Sequence, residues 1–256
     1  MFRLTTFSLT AKRVASAAGL AGAVFAASFT GTADAAISYG ELEGTDFNYF
    51  SVLEDSATDP APLFGEPSIG GNTMFFTSVG FAAFSECGVD LTDGTLAFRV
   101  ESKDDETGIL SLDFTEQGDY SLLGDHAAVT AGMSVFGLVT EIDGVDIDPI
   151  SFSMSETFLD TALSGEVSPS GVNPWSGELS IDMASILSHA GIEGLATEVA
   201  IVLDNTLTAE AGGDSSALVN KKLFTVAATQ IPEPSTAMLG LIGVLALGVM
   251  HRRRAA

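Results

Sequence analysis

The feature that most constrains the fold is a two-residue alternation of apolar and polar side chains in several separate runs. In the run 109–114, for example, Leu110, Leu112 and Phe114 fall at every second position. This period places them on one face of an extended chain, so it predicts half-buried β-strands. The other predicted strands are 73–81, 95–100, 127–142, 151–155, 177–181, 198–207 and 222–228.

Glycine-containing turn signals separate these runs. Asp143-Gly144 has the composition of a tight hairpin turn. Further turns are predicted at Asp93-Gly94, Thr107-Gly108, Gln117-Gly118-Asp119 and Gly212-Gly213. Many short strands with turns between them predict an all-β fold, an antiparallel β-sandwich or jelly roll.

One short helix interrupts the strands. Asp182 is a suitable N-cap, Met183, Ile186 and Leu187 share a face, and Gly191 ends the segment. We therefore expect one domain over 36–230, since about 195 residues fit a single β-sandwich with one helix.

The N-terminal segment has the parts of a secretory signal peptide. A basic stretch ends at Arg13, an uncharged, mostly apolar stretch follows over 14–29, and Ala33-Asp34-Ala35 gives the small-x-small pattern that signal peptidase reads. An uncleaved anchor is less favoured because the apolar stretch is short for a membrane span. We expect residues 1–35 to be removed during export, with Ala33 and Ala35 as the two small residues of the cleavage signal.

The C-terminal segment has three parts in a fixed order. Pro232-Glu233-Pro234 comes first, a hydrophobic helix that can enter the membrane follows over 236–250, and the basic residues Arg252, Arg253 and Arg254 end the segment. A buried helix of the fold is the alternative. The terminal position, the prolines in front and the arginines behind argue against that alternative.

These three parts resemble the PEP-CTERM sorting signal of bacterial exported proteins. The resemblance covers 231–256 and implies that an exosortase in the inner membrane recognises the segment and cleaves near Pro232-Glu233-Pro234. It further implies an intermediate tethered to the inner membrane, and then a body released to the cell surface or the extracellular matrix. Exosortase and signal peptidase are the expected processing partners.

The charge of the body excludes some partners. Between Ile37 and Ile231 there are 4 basic and 32 acidic residues, a net charge of −28. Such a surface repels nucleic acid and anionic lipid. Exopolysaccharide and other matrix proteins remain as possible partners.

The lone cysteine, Cys87, excludes a disulfide within the chain. It is either an intermolecular attachment point or a small buried apolar residue. The neighbouring Phe84 and Val89 favour the buried interpretation.

Catalytic and metal-binding motifs are sparse in the sequence. There is no G-x-S-x-G, H-E-x-x-H or C-x-x-C, so we expect no enzyme and no catalytic residue. We expect no cofactor; calcium is the one ion for which the sequence offers ligands, and Asp143, Asp146 and Asp148 are weak candidates on one loop. Their spacing is not that of an EF-hand, and solvated turn acids are the favoured interpretation.

The first functional hypothesis is a non-catalytic surface or matrix protein, structural or adhesive, that associates with exopolysaccharide. A carbohydrate-binding module with Trp175 as a stacking platform is the second. A secreted hydrolase using two of the many carboxylates is the third.

Overall fold

The computed structural model describes residues 36–77, 80–104, 107–161 and 171–230. The predicted signal peptide, at 1–35, and the predicted sorting signal, at 231–256, lie outside them. Within the described residues no helix has the length and apolar character needed to cross a membrane.

Twelve strands and one helix make up the described chain. In order they are β1 (Ile37–Glu43), β2 (Phe47–Asp55), β3 (Pro67–Gly70), β4 (Thr73–Phe76), β5 (Ala82–Ser85), β6 (Gly88–Ser102), β7 (Ile109–Leu123), β8 (Ala127–Ile142), β9 (Val145–Asp160), β10 (Asn173–Asp182), α1 (Met183–Ala190), β11 (Ala196–Ala211) and β12 (Ser216–Gln230). Six of these strands have 15 or 16 residues, so the prediction of short strands was wrong in length.

The strands form two antiparallel sheets packed as a sandwich, which confirms the predicted fold class. The first sheet has the order β1-β2-β6-β11-β8-β9, and the second has the order β10-β7-β12-β4-β3, with β5 beside β12. The inward side chains of both sheets build one apolar core. β11 and β12 follow one another in sequence but belong to different sheets, so the segment 212–215 crosses from one layer to the other.

A cluster of aromatic rings fills one part of this core. The Phe64 ring lies 5.2 Å from Phe81, 5.4 Å from Phe224 and 5.8 Å from Phe76 between centroids. Phe64 reaches the core from the loop after β2. The buried Glu54 carboxylate holds that loop by accepting hydrogen bonds from three successive backbone N–H groups.

The predicted helix is confirmed at both ends. The Asp182 carboxylate accepts a hydrogen bond from Ser185 N–H (3.2 Å), and Gly191 ends α1 at φ 72°. The predicted hairpin turn between β8 and β9 is also confirmed, because Asp143 and Gly144 have φ values of 49° and 71°.

Two predicted turns are not turns. Gly94 lies inside β6 and Gly118 inside β7. At Gly94 a Cβ would lie 2.5 Å from the Phe81 ring, and at Gly118 it would lie 1.9 Å from the Asn220 carbonyl oxygen. These glycines are needed because neighbouring groups leave no space for a side chain, and they do not reverse the chain.

One face assignment was also wrong. Leu110 is 36% exposed, whereas Leu112 and Phe114 are fully buried. The register between β7 and β12 shifts at this point, from Ser111 opposite Thr229 to Ile109 opposite Gln230. Because of this β-bulge, Leu110 points outward and Ile109 occupies the core position instead of Leu110.

Candidate functional site

The outer face of the first sheet carries a polar groove, which we call the outer groove. It lies over β11, β8 and the edge strand β9. In the antiparallel register Asp204 is opposite Ser134, and Ser134 is opposite Ser155. In the neighbouring row Phe136 lies between Val202 and Ser153. Residues directly opposite each other point to the same side of a sheet, so these rows form one continuous surface.

Two adjoining depressions of about 520 and 380 Å³ make up the outer groove. They share Ser134, Ser155 and Asp204. Thr206, Thr157 and Glu156 line the first, and the side chain of Phe136, 40% exposed, lines the second. Hydroxyl groups beside one accessible aromatic ring can bind a ligand that is itself rich in hydroxyl groups.

A carboxyl pair lies at the side of the outer groove. Asp93 on β6 and Asp204 on β11 share a hydrogen bond. Desolvation by burial, the hydrogen bond with Asp204 and the Asp204 charge together raise the pKa of Asp93 to about 7.

The alternation along β11 explains why Asp204 is outside while its neighbours are inside. Leu203 and Leu207 are fully buried in the core, and Asp204 is exposed. Asn205 is an exception, since it is a polar residue at an inward position. Burial on both faces occurs at Val199–Ile201, where three consecutive residues of the predicted strand 198–207 are buried.

The weak calcium candidates are spread along the β8–β9 hairpin. Asp143 accepts a hydrogen bond from Leu195 N–H (2.8 Å) through its carboxylate. Asp146 and Asp148 are exposed on β9. Across the described ranges no group of three or more His, Cys, Asp or Glu side chains is placed to hold a metal ion.

Trp175 and Cys87 are placed differently from the interpretations based on sequence. Trp175 is only 7% exposed, and its indole N–H donates to the Asn220 carbonyl (3.1 Å), so its ring is not a stacking platform. Cys87 is exposed in the turn between β5 and β6, so the buried interpretation was wrong. The β5–β6 turn projects Cys87 away from the core despite its apolar sequence neighbours.

Sequence reasoning missed the outer groove and the Asp93–Asp204 pair. Phe136 and Asp204 belong to the predicted strands 127–142 and 198–207, and Asp93 belongs to a predicted turn that the structure places inside β6. The one sequence signal for this groove is that Asp204 and Ser134 occupy strand positions whose side chains point away from the core. Their approach depends on the pairing of β11 with β8, which strand periodicity does not specify.

Comparison with known proteins identifies the sorting signal. Residues 230–254 match the PEP-CTERM protein-sorting motif. The chain is thus an exported, sorted protein with an all-β sandwich body, and it carries the PEP-CTERM signal that implies processing by exosortase. The predicted motif residues Pro232, Glu233 and Pro234 and the arginines 252–254 fall inside the matched segment.

The solved structures that resemble the body do so distantly, with low sequence identity and low TM-scores. No curated protein matches the chain. A family 12 xyloglucanase from Bacillus licheniformis is 7% identical over 77% of this chain and 100% of that chain, with a TM-score of 0.28. TmCBM61 in complex with β-1,4-galactotriose is 12% identical over 70% and 86%, with a TM-score of 0.22.

A third solved structure is the N-terminal cellulose-binding domain of a β-1,4-glucanase from Cellulomonas fimi. It is 12% identical over 60% of this chain and 91% of that domain, with a TM-score of 0.15. TM-scores this low carry neither a ligand nor an activity over to the present chain.

Proposed function

We propose that this protein is a non-catalytic surface or matrix protein whose body holds exopolysaccharide in the outer groove. The observation that supports this most directly is the row of serine and threonine hydroxyls beside the exposed Phe136 ring. Hydroxyls and carboxylates can bind sugar hydroxyls, and an aromatic side chain can cover an apolar sugar face.

The charge of the body narrows the polysaccharide class. The net charge of −28 between Ile37 and Ile231 opposes binding of an anionic polymer. The groove carboxylates, Asp204 and Glu156, add to that repulsion locally. A neutral polysaccharide is therefore the favoured ligand, in keeping with delivery to a hydrated matrix.

Affinity electrophoresis of the folded protein through gels with neutral or anionic polysaccharide tests this function. We expect retardation by a neutral polymer, lost in Phe136→Ala and retained in Leu123→Ala. Leu123 is a matched control because it is 58% exposed at the end of β7, outside the outer groove. Equal mobility of wild type and Phe136→Ala in every gel would contradict the proposal.

A secreted hydrolase is the alternative that the same samples test. Reducing ends released by wild type and not by Asp204→Asn or Glu156→Gln would assign the groove to catalysis and overturn a purely adhesive role. We expect no release by any of the three proteins.

Processing of the two terminal signals is tested separately from polysaccharide binding. In a host with exosortase, mass spectrometry should find a mature N-terminus at Ala36 and a C-terminus near Pro232. Recovery of the chain with Arg254 still attached from the cell surface would refute processing, whatever the groove binds.

A further inference from the structure

Three buried polar side chains lie among the apolar residues of the sandwich core. Glu116 on β7, Lys221 on β12 and Asn205 on β11 are each 0–2% exposed. The Lys221 ammonium group lies 2.9 Å from Oε1 of Glu116, and both side chains have no exposed surface. Burying such groups is costly unless each finds partners, so their presence together calls for an explanation.

Aromatic rings surround the Lys221 nitrogen. Its Nζ atom lies 4.2 Å from the centroid of Phe81, 5.1 Å from Phe64 and 5.5 Å from Phe224. Burial lowers the pKa of Lys221, although the nearby Glu116 carboxylate opposes that shift. A lysine in this setting gives up a proton more readily than one in water, and the neutral amine is a nucleophile.

Asn205 is unsatisfied in the same core. Neither its amide oxygen nor its amide nitrogen has a hydrogen-bond partner in the described part of the chain, and the same holds for Oε2 of Glu116. A buried polar group without a partner costs about 1–3 kcal/mol. Native cores seldom keep such groups without a partner, so this cluster calls for a further interaction or bond.

The topology brings Asn205 and Lys221 to the same compartment. β11 and β12 lie in opposite layers, joined by the segment 212–215. Asn205 lies six residues before Ala211, where β11 ends, and Lys221 lies five residues after Ser216, where β12 begins. Both point inward at nearly equal distances along the chain from the crossing, so both side chains enter the space between layers about 10 Å apart.

Phe81 supplies an independent contact between the two positions. Asn205 is paired with Gly94 in the first sheet. A Cβ at Gly94 would lie 2.5 Å from the Phe81 ring, and the same ring lies 4.2 Å from Lys221 Nζ. The Phe81 ring therefore adjoins both the amine and the strand position opposite Asn205, within the buried core.

We propose that Lys221 and Asn205 form an intramolecular isopeptide bond, with Glu116 as the proton carrier. The lone pair of the neutral Lys221 Nζ attacks the Asn205 side-chain carbonyl carbon, forming the new C–N bond. Glu116 accepts a proton from Nζ and returns it to the departing amide nitrogen. The old C–N bond breaks, ammonia leaves, and Glu116 returns to its starting state. No oxidant, reductant or metal takes part.

The product satisfies groups that the separate side chains leave unpaired. The Lys221 charge disappears from the core, the primary amide of Asn205 is consumed, and the new amide N–H lies beside the Glu116 carboxyl group. The bond joins the two sheets covalently and closes a loop of 15 residues, 206–220. A chain with a single cysteine cannot obtain such a cross-link from an internal disulfide.

Peptide mass spectrometry of the folded full chain, secreted by a host without exosortase, tests this bond. Cleavage after glutamate, which does not occur before proline, places Asn205 on peptide 199–210 and Lys221 on peptide 211–256. We expect one joined species, about 17 Da lighter than the two peptides together because one ammonia is lost. Recovery of both peptides unjoined and at full mass would overturn the proposal and indicate a hydrated polar cluster instead.

Variants assign the roles of the three side chains. Asn205→Leu and Lys221→Met should give separate peptides with no loss of ammonia, and Glu116→Gln should leave most of the chain unjoined. Folding of each variant is checked by the emission of the buried Trp175. A joined species that persists in Asn205→Leu would place the bond elsewhere and refute this assignment.

Discussion

Replacing Glu54 by leucine should destabilise the protein strongly while keeping the volume of the side chain nearly constant. The Glu54 carboxylate is fully buried. Its Oε1 accepts hydrogen bonds from Leu63 N–H and Phe64 N–H (2.8 Å), and its Oε2 accepts from Gly65 N–H (3.2 Å) and the Tyr39 hydroxyl (2.6 Å). Leucine offers no acceptor, so three backbone N–H groups lose their partner.

The magnitude follows from those three groups. Each orphaned N–H costs about 1–1.5 kcal/mol, which gives a loss of about 3–5 kcal/mol in the free energy of unfolding. The Tyr39 hydroxyl adds little, because Tyr39 is only partly buried and can bond to water. The loss also frees the loop that inserts Phe64 among Phe76, Phe81 and Phe224.

Urea unfolding followed by Trp175 emission measures this effect, since the single tryptophan is 7% exposed in the folded state. Tyr39→Phe removes one hydrogen bond and should cost about 1 kcal/mol or less. Glu43→Gln, at an exposed position of β1, should stay within about 0.5 kcal/mol of wild type. A loss below about 1 kcal/mol in Glu54→Leu would refute the reasoning.

Three further predictions use the same assay or a simple labelling reaction. The pKa of Asp93 is raised to about 7 in the folded state, above an unfolded value of about 4, so the native protein holds this proton more tightly and its stability should fall as pH rises from about 4 to 7. The Asp93→Asn variant should therefore show a smaller difference between its urea midpoints at pH 5 and pH 8 than wild type. An unchanged difference would contradict this prediction. Gly118→Ala should destabilise the folded protein by about 1–3 kcal/mol or more, because the new Cβ would lie 1.9 Å from the Asn220 carbonyl oxygen. Gly212→Ala should be nearly neutral, because the nearest contact of its Cβ would be at 3.7 Å. Equal urea midpoints for the two variants would refute the packing argument. The exposed Cys87 should react fully with a thiol reagent without denaturant, and Cys87→Ser should abolish labelling; protection until unfolding would show that it is covered.

Local signals were sufficient wherever structure is made by neighbours in sequence. Asp182 and Gly191 bound α1 as predicted, because a cap satisfies groups within one turn of the helix. Asp143-Gly144 forms the predicted hairpin turn because both residues tolerate positive φ. The sorting motif at 230–254 is likewise a short, ordered pattern that needs no folded partner to be recognised in sequence.

Contacts between distant strands decided the rest. Gly94 and Gly118 have the composition of turn residues, yet ring and backbone atoms from other strands occupy the space where their side chains would be. A bulge opposite β12 turned Leu110 outward, and strand pairing brought Asp93 to Asp204. Periodicity along one strand does not determine the register between strands.

The sequence by itself determined the PEP-CTERM sorting signal, the all-β class and the strongly acidic body, because composition and short motifs fix these properties without knowledge of strand pairing. Only the tertiary structure assembled the outer groove and buried Glu116, Lys221 and Asn205 in the core between the two sheets. The physical reason is that these groups come from five strands in two layers, β7, β8, β9, β11 and β12, and take their places only when the strands pair and the sheets pack.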